Sequence, residues 1–193
     1  MQRKATAHAL AEAAFELATT RGLNGFVIDD VADRAGYSRR TFANHYSCKE
    51  AAVASVAYSG IEAAGDALDA VSGEVPVLEA IHAVLLLQLT TQTLSRMRDV
   101  IRLSRAFPSL EPHVHTVQHR MRVEAEQRLR SVAGDRYPTT YLSLLFGAVY
   151  GMVSAALEEV VDVRLPGDTS TNAGSIDFDQ FLDIAFKHLR DGF

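Results

Sequence analysis

Residues 28–49, IDDVADRAGYSRRTFANHYSCK, decide the fold of this chain. The pattern predicts two short helices, 28–35 and 38–45, joined by a tight turn at Gly36 and Tyr37. Glycine suits the turn because a Cβ would be strained there, and Ser38 is a favoured N-cap for the second helix. Five side chains are predicted to point inward from these elements: Val31, Ala35, Tyr37, Phe42 and Tyr46. This arrangement is typical of a helix-turn-helix, whose second helix enters the major groove of DNA.

The second predicted helix carries the side chains that groove binding needs. Arg39 and Arg40 lie at its N-terminal end, where they can reach base edges and phosphates. Thr41 and Asn44 offer hydrogen-bonding groups, and Lys49 follows at the start of the next helix, where it can meet a phosphate. An ordinary helical hairpin with solvated arginines is the alternative. The combined match of helix lengths, cap and basic face favours DNA binding.

The charge distribution is weaker support for the same interpretation. The net charge of −5 argues by itself against a nucleic-acid binder. Residues 1–49, however, hold seven Lys or Arg and five Asp or Glu, whereas residues 50–193 hold twelve and nineteen. A mildly basic N-terminal region before an acidic remainder indicates a DNA-contacting end, although so small an excess also arises by chance.

Composition excludes several classes of protein. With 193 residues, 48% of them hydrophobic, and only 12 Gly and 5 Pro, the chain is neither collagen-like nor disordered. The single cysteine, Cys48, excludes a disulfide framework and fits a reducing compartment. No apolar run approaches the roughly 20 residues that span a bilayer, and because the N-terminal residues lack an apolar core segment we expect no signal peptide there. We therefore expect a cytoplasmic protein without a membrane partner.

Outside residues 28–49, almost every segment has the period of a helix. The predicted helices are 4–21, 28–35, 38–45, 49–71, 77–94, 96–107, 109–132, 139–163 and 177–190, with a surface loop at 164–175. Glycines and prolines stand at most of these boundaries. The sequence predicts an all-α fold of about nine helices.

With these residues in view, the sequence resembles the TetR family of bacterial transcriptional regulators. The resemblance lies in residues 22–53, GLNGFVIDDVADRAGYSRRTFANHYSCKEAAV. The positions that match the family pattern are Asp30, Val31, Ala32, Ala35, Gly36, Ser38, Thr41, Phe42, Tyr46, Lys49 and Glu50. The resemblance implies a DNA-binding domain over residues 1–48 and a helical ligand-binding and dimerisation domain over residues 49–193. It also implies a homodimeric repressor that a small effector releases from a palindromic operator on double-stranded DNA.

Three positions depart from the family pattern. Val27 stands where a capping threonine is common, and Ala43 stands where an aromatic residue is usual. Ser47 and Cys48 replace a common Pro-Ser pair. For the matching segment, the resemblance implies DNA contacts by Ser38, Arg39, Arg40, Thr41, Asn44, His45, Tyr46 and Lys49.

Two late helices are candidates for a dimer interface. Gly147, Gly151 and Ala155 recur every four residues and form a smooth stripe on which another helix can approach closely. Given the resemblance, we expect this stripe to form a four-helix interface with apolar residues of the last helix. Those residues are Phe178, Phe181, Leu182 and Phe186. The alternative is that both helices pack within one subunit.

Polar and aromatic side chains within apolar helices predict an effector pocket. A buried polar group is costly unless it is paired, and a cavity with a few polar anchors is typical of a ligand site. The candidates are His82, Gln88, Met97, Arg102, Phe107, His113, Met121, Tyr141, Phe146 and Tyr150. They favour a small, mainly hydrophobic ligand. Each can instead be a core residue satisfied by a neighbour.

Two other classes of function remain open alternatives. His115 and His119 share a helix face, as paired metal ligands do, and His113 is close in sequence, so a helical metalloenzyme is one rival. Only Glu111 is a nearby carboxylate, and no catalytic triad, phosphate loop or HExxH motif occurs. We therefore expect neither enzymatic activity nor a metal or other cofactor. A helical interaction protein is the second rival, and redox sensing by Cys48 is a further alternative.

Overall fold

The computed structural model describes residues 2–57, 66–68, 75–165 and 175–192. Nine α-helices have both ends in these ranges, which confirms the all-α prediction. They are α1 (Gln2–Arg21), α2 (Ile28–Ala35), α3 (Arg39–Ala43), α4 (Lys49–Val56), α5 (Val77–Gln88), α6 (Thr91–Ala106), α7 (Glu111–Ala133), α8 (Thr139–Leu157) and α9 (Phe178–Asp191). Three short 3-10 helices occur at Leu23–Gly25, Pro108–Leu110 and Gly134–Arg136. Strands β1 (Val163–Arg164) and β2 (Ile176–Asp177) form a parallel pair.

The chain divides into two compact units. Unit 1 contains residues 1–59 and 96–119, and unit 2 contains residues 60–95 and 120–193. This division differs from the predicted boundary after residue 48, because residues 96–119 pack with the N-terminal helices. Arg96 donates to Glu12 of α1 at 2.5 Å, and the Pro108–Leu110 turn contacts α4.

Helix α1 is the centre of unit 1. Its Leu10, Ala14, Leu17 and Ala18 are buried, and the helix packs against both α2 and α4. Small alanines on this face let the neighbouring helices approach closely. The packing holds α2, and with it α3, on a fixed scaffold, since α3 itself packs on α2.

Several helix ends differ from the prediction. The predicted helix 77–94 is interrupted after Gln88, and α6 starts where the Thr90 hydroxyl accepts the Thr93 N–H at 3.3 Å. A threonine cap therefore outweighs the continuous apolar pattern. Helix α8 ends at Leu157 rather than 163, close to Glu159, whose φ is 62°. Parts of the predicted helix 49–71 and of the loop 164–175 lie outside the described residues.

In unit 2, α9 packs on α5, α8 and β1. The predicted dimer interface includes Phe178, Leu182 and Phe186, but these side chains are at most 1% exposed and form the core of unit 2. They are unavailable to a partner because their own protomer already covers them. Phe181 and Ala155 are half-buried, whereas Gly147 and Gly151 are exposed.

Helix α8 also differs from the expectation about membranes. It lacks charged residues, and by length and composition alone it is apolar enough to cross a bilayer. Only 28% of its apolar window is buried. Core helices of soluble proteins have the same length and composition, so these two features do not assign α8 to a membrane.

Candidate nucleic-acid interface

The turn between α2 and α3 sets the start of α3. Gly36 closes α2 with a φ of 73°, and its N–H donates to Asp33 O at 3.1 Å. The N–H of Tyr37 donates to Ala32 O at 2.8 Å. Because this backbone conformation strains residues that have a Cβ, glycine is the residue that lets α3 follow α2 so closely.

Ser38 and Phe42 hold α3 in place. Ser38 Oγ accepts the Thr41 N–H at 3.1 Å, which satisfies one of the free donors at the helix start. Phe42 is 1% exposed and anchors the helix in the core of unit 1. The helix covers Arg39–Ala43, which is shorter than the predicted 38–45. Tyr37 is exposed rather than inward.

The opposite side of α3 carries the predicted DNA-binding groups. Arg39, Arg40 and Asn44 are exposed, and Thr41 and His45 are half-buried. The Arg40 guanidinium has no hydrogen-bond or ion-pair partner among the described residues. Two guanidinium groups therefore project from the first turn of an anchored helix, which is the geometry that base and phosphate contacts require.

Lys49 has a different environment from the other predicted contacts. Its ammonium donates to Leu23 O at 2.6 Å and to Phe26 O at 2.8 Å. It also lies 4.8 Å from the centre of the Phe26 ring. Two of its three N–H donors are thus used inside unit 1. Lys49 connects α4 to the segment before α2, a role that differs from the expected phosphate contact.

Tyr46 is also engaged within unit 1. Its hydroxyl donates to Ala7 O at 3.0 Å and accepts from Ser55 Oγ at 3.0 Å. Burial raises the pKa of Tyr46, although the Ser55 hydrogen bond opposes this shift. The phenol therefore remains protonated and connects α1 to the α3–α4 region instead of extending toward solvent.

At two positions that depart from the family pattern, another side chain caps the helix that follows. Val27 has no capping side chain, but the Asp30 carboxylate accepts the Val27 N–H at 2.8 Å. Cys48 caps α4, because its Sγ accepts the Ala51 N–H at 3.4 Å. Sequence reasoning missed the capping role of Asp30, for which the signal is an acidic residue three positions after the N-cap.

Sequence reasoning also missed two exposed ion pairs of unit 1. Arg34 of α2 pairs with Glu16 of α1 and lowers the pKa of Glu16 through a hydrogen bond. Arg39 Nη1 lies 3.1 Å from Asp29 Oδ2 at the start of α2. The partners are 18 and 10 residues apart in sequence. The spacing of residues along one helix cannot predict such pairs, because each pair joins two different helices.

Comparison with known proteins shows what this region and the whole fold are similar to. Residues 10–56 match the family model described as bacterial regulatory proteins, tetR family. A transcriptional regulator from Rhodococcus sp. RHA1 has 21% identity and a TM-score of 0.54, with 96% of each chain covered. A TetR/AcrR-family regulator from Thermobifida fusca has 21% identity and a TM-score of 0.52, covering 100% of this chain and 99% of that one. No curated protein matches the sequence. Residues 10–56 thus carry the pattern of the tetR family, and the chain as a whole shares the fold of these regulators.

The matched region contains the whole helix-turn-helix. It runs from the middle of α1 to the last residue of α4 and includes α2 and α3. The two solved structures share its fold along nearly the full chain. Within the matched region, the short, anchored α3 is the second helix of the helix-turn-helix.

The three histidines in the first part of α7 lie in different surroundings. His113 Nε2 lies 3.5 Å from Cys48 Sγ, and His115 Nε2 lies 3.5 Å from Glu111 Oε1. His119 is exposed. Among the residues that the structure describes, no group of three His, Cys, Asp or Glu side chains is placed to hold a metal ion.

The predicted effector residues are divided between the two units of the chain. Unit 1 contains Met97, Arg102, Phe107 and His113, and unit 2 contains His82, Gln88, Met121, Tyr141, Phe146 and Tyr150. In unit 1, Met97 is buried and Phe107 lies under Gly22, 3.3 Å from the point a Cβ would occupy. In unit 2, Phe146 and Tyr150 stack with ring centres 6.2 Å apart.

His82 is the most unusual of these residues. Its ring stacks on Phe186 with centres 4.3 Å apart. Nε2 lies 3.3 Å from Asp183 Oδ1, but the angle does not make a hydrogen bond, and the buried atom has no hydrogen-bond partner among the described residues. An unsatisfied buried polar atom is costly, which sets His82 apart from the other predicted effector residues.

Proposed function

We propose that this regulator is a repressor that binds a palindromic operator as a homodimer and is released by a small, mainly hydrophobic molecule. The observation that carries the proposal is the pair of exposed guanidinium groups, Arg39 and Arg40, on the anchored α3. Arginine pairs with the O6 and N7 atoms of guanine in the major groove. The proposed site of action is the cytoplasm, and the proposed role is regulatory rather than enzymatic.

The dimer proposal rests on the uncovered side of α8. Leu144 is 76% exposed, and Gly147 and Gly151 are exposed beside it. A Cβ built on either glycine would meet no described atom within 4 Å. Large exposed apolar surfaces mark interaction sites, and a second copy of α8 would cover this one. Two α3 helices could then occupy half-sites about 34–36 Å apart.

The effector proposal rests on unit 2. Its aromatic pairs supply apolar surface, and His82 Nε2 supplies a buried polar atom that makes no hydrogen bond with the described residues, although Asp183 Oδ1 lies 3.3 Å away. A hydrophobic molecule with one hydrogen-bonding group fits these two features. To release the operator, it must bind the DNA-free conformation better, by a coupling free energy of typically about 1–3 kcal/mol.

Selection from a pool of random-sequence duplexes tests the DNA-binding part of the proposal. The wild-type protein should enrich a palindrome, and Arg40→Ala should weaken binding of that duplex about ten- to hundredfold if Arg40 makes a bidentate base contact. Arg105→Ala, at an exposed arginine of α6, is the control for loss of one positive charge. A hydrophobic compound that raises the melting temperature should release the same duplex. Unchanged binding by a folded Arg39→Ala, Arg40→Ala variant would contradict the assignment of α3.

A further inference from the structure

Asp29 contacts one of the two exposed arginines of α3. Arg39 Nη1 lies 3.1 Å from Asp29 Oδ2 and 3.4 Å from Oδ1. The side chains are 71% and 54% exposed, and ion pairs this exposed contribute little to folding stability. Because this ion pair adds little to folding stability, its main effect is on the Arg39 guanidinium, which is a predicted DNA-binding group.

The contact leaves most of the Arg39 guanidinium available. Both contacts to Asp29 use Nη1, and Nε and Nη2 make no hydrogen bond with any described residue. An arginine binds guanine through two N–H groups arranged as a fork. Asp29 can therefore hold one side of the guanidinium while another edge remains free for a base.

The Asp29 carboxylate also lowers the affinity for DNA, and this loss is offset only at the correct sequence. A phosphate near Asp29 is repelled by it, whatever the bases are. At the correct sequence, base contacts by an arginine that is already oriented offset this repulsion, and less side-chain entropy is lost on binding. At other sequences, repulsion remains and the base contact is missing.

We propose that Asp29 is a positioning residue that orients Arg39 for base recognition and weakens binding to DNA of the wrong sequence. This inference rests on the proposed DNA-binding function. Two separate features support it: the Nη1-only contact and the place of Asp29 in the first turn of α2, the first helix of the helix-turn-helix.

Asp29→Asn tests this role with little change in side-chain shape. The probes are the duplex that the wild-type protein selects and a mixed-sequence duplex of the same length. We expect affinity for the selected duplex to fall about two- to fivefold and affinity for the mixed duplex to rise about twofold, so that the ratio of the two affinities falls about four- to tenfold. Asp33→Asn is the matched control, because Asp33 is exposed on the same helix and has no ion-pair partner among the described residues.

A double-mutant cycle shows whether Asp29 acts through Arg39. Asp29→Asn should lower base preference at the same operator position as Arg39→Gln, and it should have little further effect on that preference in the Arg39→Gln background. A merely structural role would lower the melting temperature without changing the preference at one base. If Asp29→Asn and Asp33→Asn change both affinities equally, the inference is wrong while the proposed function stands. If the wild-type protein binds no duplex, the proposed function itself fails.

Discussion

At the scale of single residues, unit 1 uses polar side chains to join segments that are far apart in sequence. Lys49 binds two backbone carbonyls 23 and 26 residues before it, and Tyr46 binds a carbonyl 39 residues before it. These contacts fix the segments on either side of α2 and α3. The sequence signals the residue types but not their partners, because nothing in helical spacing relates Lys49 to Leu23.

Lys49→Met should therefore lower stability. The change keeps an apolar stem but removes two charge-assisted hydrogen bonds, and we expect the free energy of unfolding to fall by about 1–3 kcal/mol. Chemical denaturation measures the loss. Lys187→Met is the matched control, because Lys187 is an exposed lysine of α9. An unchanged unfolding midpoint together with a flatter salt dependence of DNA binding would instead support the phosphate contact predicted from the sequence.

At the scale of elements, the helix-turn-helix could be predicted because its signals are local. Gly36 permits the turn, Ser38 caps α3, and both act within four residues of their partners. Thr90 is a local signal for the break between α5 and α6, but the apolar residues before it favour one continuous helix. Asp29 could not be assigned a partner from the sequence, because its contact with Arg39 depends on how α2 and α3 cross.

Gly36→Ala should destabilise unit 1 through the backbone alone. A Cβ at this position would meet no described atom within 4 Å, so the cost comes from the φ of +73°. A left-handed conformation costs residues with a Cβ about 1–2 kcal/mol, and thermal unfolding should show that loss. Gly36→Asn should lose less, because asparagine adopts this conformation more readily. Equal losses for Ala and Asn would show that something other than backbone strain limits this position.

At the scale of the whole molecule, the sequence predicted the fold class, whereas the division into units depends on contacts between distant residues. Residues 96–119 belong to unit 1 through contacts such as that between Arg96 and Glu12, which are 84 residues apart. Apolar pattern alone also could not separate core from surface in unit 2. Leu145 is buried and Leu144 is largely exposed, although both lie in the uniformly apolar α8.

The exposed stripe of α8 gives a prediction about assembly. Gly151→Leu should not disturb the protomer, because a Cβ at residue 151 meets no described atom within 4 Å and leucine favours a helix over glycine. In a dimer packed on this stripe, the larger side chain should cost about 1–3 kcal/mol and raise the dimer dissociation constant about five- to hundredfold. Sedimentation at several concentrations measures the change, and operator affinity should fall in step because one α3 contacts only half a site. Gln127→Leu, which adds an exposed leucine to α7, should remain dimeric. A wild-type protein that sediments as a monomer at micromolar concentration, or a Gly151→Leu variant as dimeric as the wild type, would show that the two copies do not meet on α8.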